Sequence, residues 1–330
     1  MQSFTRTLRK IYIFINIILL IQTFTFGVNI EKVYVGIKYS FRNFRTDGTV
    51  ILVDPFSKNM VIYNLETKQI VTAYSSIGSY VMNVYQSEND YIIVDRTSPK
   101  ISKINPYGNL IKSVSFQKRI QSSLLQDNVL YILLEGGELY SFDKDLNTIG
   151  TYKFSGSPAY IFSWNGKIFA TYLWNENYDI EFVNEKPQKI GLTTPSILVG
   201  DILIDTRDGQ LYNLKTGKIT KISKYISSAY YDGEKYYITS MAGLSLTIVQ
   251  NDSVQNSFKV PYTPTFVKKV GEYVVILSAP YNKVMVTKDG KEINVFDTGD
   301  YPFEVFTLKD SQSAFSVYCS DSGEFYYYTF

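Results

Sequence analysis

Residues 129–154 read VLYILLEGGELYSFDKDLNTIGTYKF, which is three short apolar segments separated by two polar turns. The first turn is Gly136-Gly137 and the second runs from Lys144 to Asn147. Glycine and asparagine tolerate the positive φ angles that close tight hairpins, and each segment is rich in the β-branched, aromatic and apolar residues that suit strands. The stretch therefore predicts a meander of three antiparallel strands.

The same pattern returns along almost the whole chain at steps of 34 to 42 residues. Its strongest apolar strand begins near Thr49, Tyr91, Leu130, Ile168, Ile202, Tyr236, Tyr273 and Ala314. Repeats of this length, each with several short strands, are typical of β-propeller blades. We expect an all-β fold, a single β-propeller of eight four-stranded blades, with seven as the alternative if residues 42–53 do not begin a full blade.

The last repeat is incomplete, because only the strands FEVFTL, AFSVYC and EFYYYTF precede the end of the sequence at Phe330. The segment VYVGIKYS, from Val33 to Ser40, has no partner of its own. We expect it to supply the missing outer strand, because pairing the two ends in one blade removes an exposed sheet edge.

A proline stands just before the expected inner strand of four repeats. Proline has no backbone N–H to donate to a sheet, but it can stand where a strand begins. The four are Pro158, Pro195, Pro264 and Pro302.

The N-terminal segment has the pattern of a targeting signal. Arg6, Arg9 and Lys10 precede a mostly apolar run of 16 residues, Ile11 to Phe26. That length suits a signal peptide better than a membrane span, which needs about 20 residues. We expect residues 1–27 to be a signal peptide or an N-terminal anchor and 28–330 to be the propeller, exported to the periplasm, secreted, or held outside the cytoplasm by the anchor.

Four turns carry a further family pattern: NLETKQIV (64–71), INPYGNLIKSV (104–114), NLKTGKI (213–219) and VTKDGKEI (286–293). They resemble the turn between the third and fourth strands in the YVTN/quinoprotein-like superfamily of β-propellers. The joints Gly156–Pro158 and Gly299–Pro302 are similar to the connections between blades in that superfamily. The resemblance covers almost all of residues 31–330, and it implies the fold rather than an activity.

The composition excludes several kinds of chemistry. The chain has no histidine, which removes His-based triads and imidazole zinc sites, and one cysteine, Cys319, which forms no internal disulfide. The charge is close to neutral and no basic run exists, so we expect no nucleic-acid partner. No phosphate-binding glycine loop is present, and we expect no cofactor and no metal.

Carboxylates recur after the strongest strand of four repeats: Asp54, Asp95, Glu135 and Asp205. One interpretation is a ring of carboxylates that binds a cation on one face. The other, which we favour, is that each carboxylate accepts hydrogen bonds from nearby backbone N–H groups and shapes its turn.

Residues that depart from the repeat are better candidates for a binding site. Turns between the second and third strands, and connections between blades, should converge on one face. They contain Arg96, Trp174, Asn175, Asn177, Arg207, Asp208, Tyr281, Asp300 and Tyr301. The leading hypothesis is a non-catalytic, monomeric scaffold that uses this face to bind a protein or a cell-envelope polymer. In this hypothesis the protein contacts a membrane only through residues 1–27. The alternatives are a carboxylate- or metal-dependent hydrolase, lyase or lactonase, and a carbohydrate-binding propeller.

Overall fold

The computed structural model describes residues 28–330 apart from 39–42, 47, 289, 291, 310 and 312, with only the backbone of 43–46. The expected signal or anchor (1–27) lies outside the described residues, as do Asp289 and Lys291 of one resembling turn. No helix in the described part of the chain is long and apolar enough to cross a membrane.

The described strands form eight antiparallel sheets that are the blades of a β-propeller, as the repeat predicted. The chain begins with β1 (Asn29–Tyr34), which belongs to the last blade. Blades one to four contain β2 (Asn43–Thr46), β3 (Thr49–Asp54), β4 (Asn59–Asn64), β5 (Gln69–Tyr74); β6 (Val81–Ser87), β7 (Asp90–Asp95), β8 (Lys100–Ile104), β9 (Leu110–Ser115); β10 (Ile120–Gln126), β11 (Val129–Leu134), β12 (Glu138–Phe142), β13 (Thr148–Lys153); β14 (Tyr160–Trp164), β15 (Lys167–Thr171), β16 (Ile180–Phe182).

Blades five to eight continue in the same order, and blade seven also contains a short 3₁₀ helix (Ala279–Tyr281). Their strands are β17 (Pro195–Val199), β18 (Ile202–Asp205), β19 (Gln210–Asn213), β20 (Ile219–Lys221); β21 (Ile226–Tyr231), β22 (Tyr236–Ser240), β23 (Ser245–Gln250), β24 (Ser253–Lys259); β25 (Phe266–Val270), β26 (Tyr273–Ser278), β27 (Lys283–Thr287), β28 (Asn294–Asp297); β29 (Pro302–Thr307), β30 (Ala314–Cys319), β31 (Glu324–Thr329). Within each blade the strands are called a to d from the channel outward.

The second strand of each blade is apolar throughout because both of its faces are buried. In β3, Val50 and Leu52 pack toward blade eight, whereas Ile51 and Val53 pack toward blade two. The same arrangement repeats, so that each of the eight hydrophobic clusters of described residues lies between two neighbouring blades. A strand buried on both faces shows a continuous apolar run instead of alternation. Cys319 is fully buried in one of these clusters.

The ring is closed by pairing of the two ends of the chain, as expected, although the closing strand is not the one predicted. β1 (Asn29–Tyr34) pairs antiparallel with β31 and is the outer strand of blade eight. The prediction of Val33 to Ser40 was therefore placed about four residues too late. Gly36 has a φ of +82°, and the N–H groups of Val35 and Gly36 both donate to the Gly323 carbonyl, which turns the chain away from the sheet.

Blade four has three strands rather than the expected four. After Phe182 the chain turns, with the Glu185 N–H donating to the Phe182 carbonyl at 3.0 Å. Pro187 follows, and its missing N–H cannot continue a ladder. The segment then returns to the sheet in a single bridge between Gln188 and Ile180.

The order of strands defines the two ends of the propeller. The b–c turns and d–a connections lie at one end, which we call the loop face, and the a–b and c–d turns lie at the other, the turn face. Asn29 pairs with Thr329, so the chain enters the propeller on the turn face. Gly209 shows how tightly the loop face is packed, because a Cβ atom there would lie 2.4 Å from the Ser223 carbonyl oxygen.

Candidate functional site

The topology places the candidate residues from the sequence on the loop face, and contacts join most of them into two groups. The first group is the Trp174 cluster, formed by the b–c turns of blades four and five. The Arg207 guanidinium lies over the Trp174 ring with 4.5 Å between its Cζ and the ring centroid. Asp208 in the same turn is 3.6 Å from the Lys224 ammonium group.

Trp174 is held by its own turn and by the connection from blade four to blade five. Its backbone N–H donates to the Thr193 carbonyl in that connection at 2.9 Å. The Asn175 side-chain oxygen accepts from the N–H groups of Asn177 and Tyr178 at 2.9 and 3.1 Å. This is an Asx turn, so Asn175 and Asn177 shape the loop. The indole is 56% exposed, so this tryptophan is not part of the core.

The second group is the Tyr281 cluster, where the b–c turn of blade seven meets the connection to blade eight. The Asn282 amide donates to Asp300 at 2.9 Å, and its oxygen accepts from the Tyr301 N–H at 3.0 Å. The Tyr281 ring lies 5.3 Å from the ring of Tyr262. Tyr281, Asp300 and Tyr301 are therefore neighbours, and Asn282 links the two segments by its side-chain hydrogen bonds.

Arg96 stands apart from both groups. Its N–H donates to the Tyr80 carbonyl at 3.0 Å and its side chain is exposed. Among the described residues no hydrogen bond, ion pair or ring contact joins Arg96 to the Trp174 or Tyr281 cluster. The loop face therefore holds two separate clusters and one isolated arginine.

Three of the four recurring carboxylates, those of Asp54, Asp95 and Asp205, accept hydrogen bonds from backbone N–H groups, as the structural alternative predicted. Glu135 is exposed, and among the described residues its carboxylate accepts no such bond. The Asp205 oxygens accept from the N–H groups of Thr194, Arg207 and Asp208 at 2.9 to 3.0 Å. Burial by itself raises the pKa of Asp205, but these hydrogen bonds and the one from the Thr194 hydroxyl lower it below its ordinary value. Asp95 accepts in the same way from Tyr80 and from its own turn, and no group of three potential metal ligands exists within the described residues.

Cys319 occupies the place in blade eight that Asp95 and Asp205 occupy in their blades, the last residue of strand b. Its sulfur lies 3.2 Å from the Thr298 hydroxyl in the connection between blades. Burial raises the pKa of the thiol to about 12. The residue is therefore a neutral thiol that packs, and it has no nucleophilic character near neutral pH.

Large apolar side chains are exposed on the loop face well beyond the predicted residues. They include Tyr34 at the end of the outer strand β1 and, outside the outer strands, Phe56, Tyr80, Trp174, Tyr225, Met241, Leu244, Tyr281 and Tyr301. Within the described c–d turns, Tyr107 is the exposed aromatic residue, and it lies on the turn face. Phe56, Tyr80, Met241 and Leu244 were missed from sequence. Phe56, Met241 and Leu244 follow strand b as Trp174 and Tyr281 do, and that register is the signal that could have found them.

Four of these side chains sit on backbone of an unusual conformation. Trp174, Tyr225, Leu244 and Tyr301 have φ angles of 59°, 56°, 41° and 57°. Bulky residues rarely adopt the left-handed region, which costs about 1–2 kcal/mol each. Strain of this kind concentrates at functional sites, where it fixes the direction of a side chain. The loop face therefore presents aromatic rings from rigid turns.

Neither a protein-family model nor a curated protein sequence matches the chain. Solved structures do. A computationally designed protein, Ika8, is similar over 90% of this chain and 99% of its own, with 11% identity and a TM-score of 0.68. BamB from Moraxella catarrhalis matches over 92% and 98% with 12% identity and a TM-score of 0.62. Virginiamycin B lyase from Staphylococcus aureus matches over 92% and 100% with 11% identity and a TM-score of 0.58. At these identities the likeness shows the β-propeller fold alone.

Proposed function

We propose that this protein is an exported propeller that binds a partner protein through its loop face. The observation that carries the proposal is the concentration of exposed aromatic side chains on that face, from Tyr34 to Tyr301. Soluble proteins rarely expose grouped apolar surface without a binding role. Export is supported by the basic and apolar pattern of residues 1–27.

The chemistry of the face favours a protein over a polymer of sugars. Tyrosine, tryptophan, methionine and arginine are enriched in protein interfaces, and tryptophan, tyrosine and arginine dominate their binding energy. Trp174 and Arg207 provide such a pair, with the cation stacked on the ring. Rings fixed by strained turns lose little entropy on binding, which strengthens association.

The direction of the face follows from the position of the chain start. β1 begins on the turn face, beside the end of β31. An N-terminal anchor would connect to the propeller on that side. The loop face would then point away from the membrane and toward a partner.

An enzyme of the lyase type has less support. Virginiamycin B lyase is catalytically inactive as a His→Ala variant, whereas this chain has no histidine. Asp95, Asp179 and Asp205 are buried carboxylates on the loop face, and each accepts hydrogen bonds from backbone N–H groups. Binding is therefore the better proposal for this face.

The test is photo-cross-linking in the cells that make the protein. p-Benzoylphenylalanine replaces Trp174, Tyr225 or Tyr301 on the loop face, and Tyr107 is the matched control on the turn face. We expect a discrete protein adduct from the loop-face positions and none from Tyr107. Adducts of equal yield from Tyr107, or no protein adduct from the three loop-face positions, would contradict the proposal.

A further inference from the structure

A cavity opens between blades six, seven and eight, next to the Tyr281 cluster. Its volume is about 280 Å³, and its walls include Phe266, Ala279, Tyr301, Pro302 and Phe303. A cavity of about 150 Å³ with an apolar lining is enough to hold a benzene ring. The space therefore suits one aromatic or leucine-sized side chain.

The hydroxyl groups in the wall of this cavity already have partners. The Thr265 hydroxyl donates to the Leu277 carbonyl at 3.2 Å and accepts from the Ala279 N–H at 3.1 Å. The Ser228 hydroxyl oxygen accepts from the Val267 N–H at 3.2 Å. The wall therefore offers a ligand the rings of Phe266, Tyr301 and Phe303 beside one acidic residue, Glu304. An apolar group gains most at the rings.

Two exposed carboxylates stand at the rim. Asp321 lies in the b–c turn of blade eight, and its N–H donates to the Asp300 carbonyl at 3.2 Å. The Ser320 N–H donates to the Tyr301 carbonyl at 3.0 Å, which holds the two acids beside the cavity. Within the described part of the chain neither acid has a lysine or arginine at ion-pair distance, and Lys283 of blade seven is paired with Asp297.

We propose that this cavity is the socket for an extended segment of the partner protein, which inserts an aromatic or leucine-sized side chain next to a lysine or arginine. The apolar walls select the anchor, and Asp300 with Asp321 select the basic neighbour. Tyr301 forms both the wall and the rim, and its left-handed backbone fixes its ring between them. This inference rests on the proposed function and names the chemistry of the partner at one place on the face.

The test uses three acetylated and amidated hexapeptides with the purified protein. Gly-Ser-Trp-Arg-Ser-Gly is the probe, and its matched forms contain alanine in place of tryptophan or glutamate in place of arginine. Binding is followed by the backbone amide shifts of the protein. We expect saturable shifts around Ala279, Tyr301 and Phe303. Loss of the ring should weaken binding at least about tenfold. Reversal of the charge should weaken it about threefold to tenfold.

Variants of the protein test whether the peptide binds at this cavity. Asp300→Asn with Asp321→Asn should reduce the preference for arginine over glutamate, whereas Asp127→Asn on the turn face should not. Phe303→Ala and Tyr301→Gly should each weaken binding of the probe at least fivefold, and Tyr107→Gly is the matched control. Tyr301→Gly relieves a left-handed backbone, so it gives a stable variant even if Phe303→Ala unfolds. Equal affinity for the three peptides, shifts elsewhere, or no saturable shift at several millimolar would overturn the inference.

The two proposals fail in different ways. Protein adducts from Trp174 and Tyr225 together with no peptide binding at the cavity would remove only the socket. Peptide binding at the cavity without any loop-face adduct in cells would instead remove the proposed function.

Discussion

The Arg207 guanidinium covers one face of the Trp174 indole, with 4.5 Å between its Cζ and the ring centroid, although the two residues come from different blades. Trp174 lies in the b–c turn of blade four and Arg207 in that of blade five. A cation stacked on an exposed ring is worth about 0.5–1 kcal/mol. The pair therefore orders two turns of the loop face relative to each other.

Arg207→Ala should make Trp174 more accessible to a neutral quencher. Trp164, the other tryptophan, donates its Nε1–H to Asp201 at 2.9 Å, so Trp164→Phe gives a background with one reporter. We expect acrylamide quenching of Trp174 to rise in that background when Arg207 is removed, with little change for Arg96→Ala. Equal quenching with and without Arg207 would show that the ring is not covered.

We expect Asp205 to contribute about 3 kcal/mol to the free energy of unfolding. Asp205→Ala leaves the N–H groups of Thr193, Thr194 and Asp208 without this acceptor, and each unsatisfied buried group costs about 1–3 kcal/mol. Urea unfolding should show this loss, and Asp205→Asn should lose less because its amide oxygen still accepts. A loss below about 0.5 kcal/mol for Asp205→Ala would contradict the structural role.

Asp232 should give a contribution to stability that depends on pH. Its carboxylate lies 2.6 Å from the Lys269 ammonium of the next blade. Burial by itself raises the pKa of Asp232. The hydrogen bonds from Lys269 and from the N–H groups of Lys235 and Glu234, with the charge of Lys269, outweigh this effect and bring the pKa down to about 2.

The folded pKa of Asp232 is below the ordinary 3.8, so its ionised form stabilises the protein above about pH 4, and this contribution disappears as the pH falls toward 2. After allowance for solvent screening we expect Asp232→Asn to cost about 1 kcal/mol at pH 6 and about a third of that at pH 2.5. Urea unfolding at both pH values measures the difference, with Asp127→Asn as the control. A cost that is the same at both pH values would contradict the ion pair.

Tyr225 and Tyr281 offer a matched comparison of strain. Both are about half exposed on the loop face, but only Tyr225 is among the residues with positive φ. Asparagine tolerates the left-handed region, so Tyr225→Asn should raise the unfolding free energy by about 0.5–1 kcal/mol while Tyr281→Asn leaves it unchanged. Both changes should weaken partner binding. A Tyr225→Asn protein that is less stable than the parent would refute strain at this position.

Ring closure should depend on β1. A chain that begins at Val28 keeps the six residue pairs between β1 and β31, whereas a chain that begins at Val35 exposes the edge of β31. We expect the shorter chain to melt at least about 10 °C lower or to associate through that edge. Equal melting temperatures and a monomeric state for both chains would contradict closure by β1.

The fold could be predicted from sequence because strand b of each blade is buried on both faces. Its continuous apolar runs, such as Val50 to Val53, stand out against the alternating outer strands. Prolines also marked the inner strands, since Pro195 and Pro302 begin β17 and β29. The closing strand was misplaced because β1 is exposed on most of its length and carries no apolar pattern.

The site was harder to predict because its residues meet through the ring rather than through the sequence. The repeat correctly indicated that b–c turns and blade connections share a face, which brought in Trp174, Arg207 and Tyr301. Nothing in the sequence indicated that Trp174 and Arg207 stack, or that Arg96 stands apart. The cavity was also hidden, because Phe266, Ala279 and Phe303 belong to three different segments and look like core residues.

The central claim is that the loop face is the binding surface, and one affinity comparison tests it most directly. The partner captured by cross-linking is titrated against a variant in which Trp174, Tyr225, Tyr281 and Tyr301 are all asparagine. The control variant carries asparagine at the exposed positions Tyr107, Leu110, Ile149 and Val254, away from that face. We expect at least a hundredfold loss of affinity for the first variant and less than threefold for the second. Equal affinities for the two variants would contradict it.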